Sequence, residues 1–203
     1  MATQTLYRQE LKGRILEMAM QEFMTNGIRK VKMDDIARML GISKRTLYEI
    51  YQDKEAILFE GLKKSEEEMD AYLSQYAENP SHTAMDIIIE FYHIQVNNIS
   101  RINPVFFTQL YKYPEIVDYL ESRRKQRENV SREFYAKGVK EGYFRDNVVY
   151  EIISAVGNSA IQYVMANQLY KRYSFDEIFR NIFFLIIRGF CTEKGVAVID
   201  RLL

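Results

Sequence analysis

A short cluster of hydrogen-bond donors and positive charges follows Ser43 in the sequence. Lys44, Arg45, Thr46 and Tyr48 contribute an ammonium, a guanidinium and two hydroxyl groups. Side chains of these types bind the phosphates and base edges of double-stranded DNA when they project from one end of a helix. The Ser43 hydroxyl can cap such a helix by accepting a hydrogen bond from an amide of its first turn. The cluster therefore predicts a DNA-binding surface.

Two short helices joined by a sharp turn would place these donors at the protein surface. The apolar residues of both segments recur at helical spacing: Ile36, Ala37 and Leu40 in the first, and Leu47, Ile50 and Tyr51 in the second. Gly41 lies between the segments, where a chain leaving a helix often adopts a left-handed conformation. The pattern predicts a helix-turn-helix, whose second helix enters the major groove in DNA-binding proteins. An ordinary helical hairpin with a solvated basic face is the alternative.

Residues 36–58 resemble the DNA-binding domain of the TetR (tetracycline repressor) family of bacterial regulators. The positions that carry the resemblance are Ile36, Ala37, Gly41, Ile42, Ser43, Leu47, Tyr48, Tyr51, Lys54, Glu55 and Leu58. Two positions differ, because Lys32 stands where the family has Thr or Ser, and Tyr51 where it has Phe. The resemblance implies a ligand-responsive transcriptional regulator, specifically a repressor that binds a palindromic operator as a dimer and is released by a small-molecule effector.

We expect an all-α protein of two domains with about nine helices. Residues 1–53 form an N-terminal three-helix helix-turn-helix DNA-binding domain, and residues 54–203 form a larger helical ligand-binding and dimerisation domain. Apolar periodicity and helix-end signals predict helices over residues 11–26, 33–40, 54–78, 82–100, 105–111, 114–142, 146–172 and 174–194. Glu177, three residues after Ser174, completes a capping box at the start of the last one.

Further basic residues flank the helix-turn-helix. Arg29, Lys30 and Lys32 precede it and are predicted to contact DNA phosphates, which fix register without specifying sequence; solvated loop charges are the alternative. The resemblance assigns Lys54 to a phosphate as well, with a plain surface lysine as the alternative. The predicted DNA-binding residues are Lys32, Ser43, Lys44, Arg45, Thr46, Tyr48 and Lys54.

Composition and charge fit an intracellular DNA-binding protein. The 203 residues are 47% hydrophobic, which is enough for a substantial core. The formal net charge is zero, yet residues 1–54 carry 10 Lys and Arg against 7 Asp and Glu, so positive charge lies with the predicted DNA-binding domain. A single cysteine, Cys191, excludes an internal disulfide. The polar N-terminus and the short apolar runs indicate neither an export signal nor a membrane span, which predicts a cytoplasmic protein.

The last two predicted helices are apolar on more than one face, so they need a second partner. The residues assigned to a dimer interface are Val156, Ala160, Ile161, Val164, Ile182, Phe183, Ile186 and Phe190. Two-fold pairing would present two identical helix-turn-helix motifs to a palindromic site. The alternative is that both faces belong to the core of one chain.

The central helices mix aromatic side chains with isolated polar groups, which suits a small-molecule pocket. The candidate ligand-binding residues are Tyr92, Asn98, Phe107, Tyr111, Gln162 and Met165. Asn98 and Gln162 are the stronger candidates, because a buried amide needs a partner that a ligand can supply. Core packing is the alternative for the rings. His82 and His93 lack a Cys or carboxylate at metal-ligand spacing, so neither a metal nor another cofactor is expected.

No enzyme class matches the sequence, which has no glycine-rich phosphate loop and no paired nucleophile and base. The expected partners are double-stranded operator DNA, an unidentified small-molecule effector and a second copy of the chain, without a membrane. A helical scaffold or small-molecule-binding protein of the same fold without DNA binding is the competing function. The donors between Lys44 and Tyr48 argue against it, since a protein without DNA binding has no need of them.

Overall fold

The computed structural model describes residues 2–201, most of which lie in helices. Eleven α-helices occur in this range: Ala2–Asn26 (α1), Met33–Leu40 (α2), Lys44–Tyr48 (α3), Lys54–Glu78 (α4), Ala84–Ile99 (α5), Pro104–Leu110 (α6), Pro114–Gln126 (α7), Glu128–Lys140 (α8), Tyr150–Ala166 (α9), Phe175–Phe190 (α10) and Glu193–Ile199 (α11). Within residues 2–201 there is no β-strand, so the predicted all-α class is confirmed.

The described chain divides into two compact units. The first comprises the residues up to Ala71 together with Arg101–Ile116, and the second comprises Tyr72–Ser100 together with the residues from Val117 onward. Helix α6 therefore belongs to the same unit as α1, α2 and α3, although α4 and α5 separate it from them in the sequence. The predicted domain boundary after residue 53 stays a prediction.

Helix α1 supplies one side of the core of the first unit. Leu11, Ile15, Ala19 and Phe23 are all buried and are spaced four residues apart, so they form one stripe along the helix. The residues of this unit that are completely buried include Ile15, Ala19, Phe23, Ile28, Ile36, Leu47, Ile57 and Leu58. The stripe gives α2 and α3 a third surface to pack on, which two crossed helices require. The helix begins at Ala2, earlier than the predicted start at Leu11.

Helix α3 is shorter than the apolar spacing predicted. It ends at Tyr48, and Glu49 is its C-cap residue. The Ile50 amide donates to the Leu47 carbonyl at 3.1 Å, which is the tighter pattern of a closing turn. Tyr51 lies beyond the helix but is only 4% exposed, so it packs into the core from the turn.

The predicted helix over residues 114–142 is two helices, α7 and α8, separated by Arg127. The ψ angle of Arg127 is −8°, whereas an α-helical residue has about −42°. The interruption is confined to this one residue, because the Arg127 amide donates to the Arg123 carbonyl at 3.1 Å and the Arg127 carbonyl accepts from the Ser131 amide at 2.9 Å.

The helix predicted from Asp146 begins later, at Tyr150. Ahead of it, the Arg145 amide donates to the Phe190 carbonyl and the Tyr143 carbonyl accepts from the Thr192 amide, both at 2.9 Å. These contacts lie at the end of α10, which ends at Phe190, earlier than predicted.

The second unit has an aromatic core that depends on one close approach. The rings of Phe144 and Phe190 lie edge to face with centroids 5.1 Å apart, and both side chains are buried. A Cβ atom at Gly138 would come within 1.9 Å of the Phe144 ring. Only glycine at residue 138 leaves room for that ring.

The capping box predicted for α10 is present. The Glu177 amide donates to the Ser174 hydroxyl at 3.2 Å, and the Ser174 amide donates to the Glu177 carboxylate at 2.9 Å. The hydrogen bonds from the backbone and side chain of Ser174 hold the pKa of Glu177 below its ordinary value. Because the folded pKa is the lower one, the carboxylate stabilises the fold fully above the unfolded pKa of about 4.3. This stabilisation is lost as the pH falls through the folded pKa.

Glu177→Gln should therefore destabilise the protein at pH 7 and have a smaller effect at pH 3. Urea unfolding of both forms at the two pH values measures the difference. Ser174→Ala removes the hydroxyl that bonds to Glu177. In that background, the destabilisation caused by Glu177→Gln should depend much less on pH. An equal destabilisation at both pH values would contradict the assignment.

Candidate nucleic-acid interface

The turn between α2 and α3 requires a left-handed residue, which Gly41 provides with φ of 66°. The Gly41 amide donates to the Arg38 carbonyl at 3.1 Å, and the Ile42 amide donates to the Ala37 carbonyl at 3.0 Å. These bonds satisfy the last carbonyls of α2. The chain consequently leaves α2 and enters α3 within three residues, as the sequence predicted.

The start of α3 is fixed by its cap. The Thr46 amide donates to the Ser43 hydroxyl at 3.0 Å, and the two hydroxyl oxygens lie 2.8 Å apart. Leu47 is completely buried and anchors the inner side of the helix, whereas Tyr48 is 51% exposed. The outer side of α3 therefore presents Lys44, Arg45 and Tyr48 to solvent, which is the arrangement that contact with DNA requires.

The basic side chains around this tip are paired with carboxylates. Lys44 pairs with Asp34 on α2, and the Arg45 Nε donates to a Glu49 carboxylate oxygen at 2.9 Å. The Arg45 side chain is 89% exposed. Exposed pairs of this kind contribute about 1 kcal/mol or less, so phosphates or base edges can compete for the cations.

The cap of α2 comes from the Asp35 side chain inside the helix, because the side chain of Lys32, the residue before the helix, accepts no hydrogen bond. The Lys32 amide donates to the Asp35 carboxylate at 3.3 Å. The Lys32 side chain has no acceptor atom, so only this half of a capping box forms. Its ammonium is exposed and stays predicted as a phosphate contact.

Lys54 has a structural contact that the sequence did not predict. Its ammonium donates to the Ile28 carbonyl at 2.9 Å and to the Val31 carbonyl at 3.3 Å. Burial lowers its pKa, Glu55 opposes this effect, and Arg29 adds to it. One of the three ammonium protons remains for a phosphate. The residue therefore holds the loop between α1 and α2, and its predicted phosphate contact stays a prediction.

Helix α6 and the residue before it hydrogen-bond the same loop and the end of α1. The Gln109 side-chain carbonyl accepts a hydrogen bond from the Arg29 amide at 2.8 Å. The Asn103 amide donates to the Met24 carbonyl at 2.8 Å, and its side-chain nitrogen donates to the Thr25 carbonyl at 3.1 Å. Sequence reasoning missed these positioning contacts, because nothing local in either segment indicates a partner so far along the chain.

The predicted ligand-binding residues are divided between the two units. Phe107 and Tyr111 belong to the first unit, and Tyr92, Asn98, Gln162 and Met165 belong to the second. Asn98 and Gln162 are both exposed, so the burial that favoured them is absent. The ligand-binding set stays a prediction without that support.

Tyr92 is packed by other aromatic rings. Its ring centroid lies 5.0 Å from those of Phe183 and Phe184, which is direct contact. Burial raises the pKa of Tyr92, the charge of Asp176 raises it further, and Arg180 lowers it.

The predicted dimer residues differ in exposure. Val164 and Phe190 are 3% and 1% exposed, so they pack inside their own chain and are left out of the interface proposed below. Val156 is 56% exposed. The others, which are all partly buried, are Ala160, Ile161, Ile182, Phe183 and Ile186.

Sequence reasoning missed the most exposed apolar residues of these helices. Ile152 and Tyr163 on α9 are 60% and 61% exposed, and Leu185 on α10 is 76% exposed. Ile152, Val156 and Tyr163 lie on one side of α9, because their spacing of four and seven residues follows the helical repeat. They form an outward apolar stripe that the sequence pattern alone could not separate from the inward one.

In the part of the chain that the structure describes, no group of three His, Cys, Asp or Glu residues is placed to hold a metal ion. No helix among residues 2–201 has both the length and the apolar character needed to cross a bilayer.

Comparison with known proteins identifies the fold, and a family model matches part of the first unit. Residues 15–60 match the family model of bacterial regulatory proteins, tetR family. A TetR/AcrR-family transcriptional regulator from Thermobifida fusca is 24% identical, covering 89% of this chain and 98% of that chain with a TM-score of 0.65. A TetR-family regulator from Agrobacterium tumefaciens is 12% identical, covering 91% of this chain and 100% of that chain with a TM-score of 0.71.

A protein from Saccharomonospora viridis, solved in complex with choline, has the same TM-score of 0.71 at 19% identity, covering 91% of this chain and 100% of that chain. At such identities the likeness shows a common fold. No protein of curated function matches the chain in sequence.

Lys54→Ala should lower the free energy of unfolding by about 1–3 kcal/mol, because two carbonyls lose a charged donor. Lys30→Ala is the matched control, since Lys30 is an exposed lysine of the same loop and its removal should change stability by about 0.5 kcal/mol or less. Urea unfolding monitored by circular dichroism measures both. Equal effects of the two substitutions would contradict the structural role of Lys54.

Proposed function

We propose that this chain, which belongs to the TetR family of bacterial regulatory proteins, is a repressor that binds a palindromic operator as a dimer and is released by a small-molecule effector. The observation that carries the proposal is the outward display of Lys44, Arg45 and Tyr48 on a helix anchored by buried Leu47. The function is binding rather than catalysis.

The chemistry of the tip suits duplex DNA. A guanidinium offers the paired donors that match guanine in the major groove, and an exposed tyrosine offers both a ring and a hydroxyl. Lys44 supplies a point charge for a phosphate, as do Arg29 and Lys30 on the neighbouring loop. The loop has a fixed conformation, because Lys54 and Gln109 hydrogen-bond its backbone.

The apolar stripe of α9 supports a dimer. Ile152, Val156 and Tyr163 are each more than half exposed, and Leu185 on α10 is more exposed still. A row of apolar side chains in water indicates an interaction surface. Two-fold pairing gives the two tips the symmetry of a palindromic operator, whose half-sites are separated by about one helical turn, roughly 34–36 Å, or a multiple of it.

The effector is proposed from the fold, together with the cluster of aromatic rings around Tyr92 in the second unit. One protein of the same fold was solved with choline, which makes choline the first compound to test. A compound that binds the DNA-free form better than the DNA-bound form will release the operator by mass action.

Selection of duplexes from a randomised pool tests DNA binding directly. The purified chain should enrich a palindromic sequence. Arg45→Ala and Tyr48→Ala should each weaken binding to it by about 1–3 kcal/mol and relax specificity. Lys30→Ala should weaken binding to all duplexes alike and reduce the salt dependence by about one unit.

Failure to enrich any sequence, with the protein folded, would favour the helical binding protein without DNA binding. If the enriched sequence lacked two-fold symmetry, DNA binding would be supported and a palindromic operator would be excluded. Addition of choline to the complex, followed by a mobility shift, tests release by this compound alone.

Val156→Asp should shift the protein from a dimer to a monomer of 24.1 kDa, because a carboxylate would lie within an apolar interface. Light scattering at micromolar concentration measures the mass. Val130→Asp is the control, since Val130 on α8 is 63% exposed but lies outside the stripe, and the dimer should persist. A monomeric wild-type protein at this concentration would contradict the proposal.

A further inference from the structure

The pairing of Arg45 with Glu49 uses only one edge of the guanidinium. The carboxylate accepts from Nε at 2.9 Å. An arginine carries five N–H donors, four of them on its two terminal nitrogens. The contact through Nε therefore leaves the terminal nitrogens for another planar partner, such as the O6 and N7 atoms of a guanine.

The backbone of Glu49 is held in place by a more distant residue. Its amide donates to the Arg45 carbonyl at 2.9 Å, and its own carbonyl accepts from the Arg8 guanidinium at 2.8 Å. Arg8 belongs to α1, so the anchor comes from outside the helix-turn-helix. A cation at a helix C-terminus also satisfies a carbonyl that has no partner within the helix.

This anchor matters because the ion pair alone is weak. The arginine precedes the glutamate, which caps the end of the helix, and this is the less favourable order for an i, i+4 pair. Both side chains are largely exposed, at 89% and 58%. Without the Glu49 carboxylate beside it, the long arginine side chain would sample several rotamers and lose entropy on binding a base.

We propose that Glu49 is a positioning residue, whose backbone Arg8 holds and whose carboxylate orients Arg45 so that its terminal nitrogens bind one guanine in each half-site. The inference rests on the proposed function, since it concerns how the same surface discriminates between sequences. Glu49 touches no base in this arrangement. It acts by restricting Arg45 before DNA arrives.

The Lys44 pair provides a contrast on the same surface. Its positive charge is concentrated in a single ammonium group, which Asp34 already contacts. DNA must share or displace that carboxylate, so Asp34 competes with phosphates instead of orienting a donor. Removal of Asp34 should strengthen binding to every sequence without changing which sequence is preferred.

Guanine analogues test the proposal on the duplex selected above. Replacing each guanine in turn by 7-deazaguanine removes the N7 acceptor and leaves the base pair intact. For the wild-type protein, one position per half-site should lose about fivefold or more in affinity. With Arg45→Ala, the same substitution should have no effect at that position.

Glu49→Ala should reduce the loss at that position to about twofold or less, as if Arg45 were absent. Glu49→Gln should keep most of the loss, because the amide oxygen still accepts from Nε. Asp34→Asn is the control for the removal of one negative charge. It should keep the full loss of affinity on 7-deazaguanine substitution while it tightens binding to all duplexes. Thermal unfolding checks that every variant is folded.

Two results would overturn the inference while leaving the proposed function intact. One is a wild-type complex that tolerates 7-deazaguanine everywhere. The other is a Glu49→Ala variant with the wild-type loss, or one indistinguishable from Glu49→Gln, which would make the glutamate a source of charge only. Failure of the wild-type protein to select any duplex would instead overturn the proposed function, and the inference with it.

Discussion

The helix-turn-helix depends first on the burial of Leu47. A helix of five residues has too few internal hydrogen bonds to persist by itself, so its stability must come from packing. Leu47 is completely buried, and burying a leucine contributes roughly 1.5–3 kcal/mol, more than a typical exposed ion pair. Ser43 caps the start of α3, and Arg8 binds the carbonyl of Glu49 just past its end. The direction of the outward donors on α3 follows from this inward anchor.

The loop between α1 and α2 shows the same dependence on distant residues. Lys54 binds two of its carbonyls, and Gln109 binds the amide of Arg29. Neither partner is near the loop in sequence, yet both lie in the same compact unit. The backbone beneath the basic residues is therefore set by α4 and α6, and the register of phosphate contacts on DNA would depend on those helices as much as on the helix-turn-helix itself.

Local signals made the tip predictable. The bounds of α2, the left-handed Gly41, the Ser43 cap and the Ser174–Glu177 capping box each depend on residues within four positions of one another. The misses have non-local causes. Helix α10 ends at Phe190, where Tyr143 and Arg145 hydrogen-bond the chain around its end. The role of Lys54 and the placement of α6 in the first unit likewise depend on partners that no periodicity indicates.

Apolar residues on α9 and α10 show where sequence patterns reach their limit. Leu185 and Phe190 are equally plausible core residues by type, yet one is 76% exposed and the other 1%. Which face of such a helix is covered depends on the neighbours that pack against it, and spacing does not contain that information. The exposed set is small, but a two-fold interface uses each residue twice. Under the proposed two-fold pairing, exposed side chains such as Ile152, Val156 and Leu185 would each contribute to the interface from both copies.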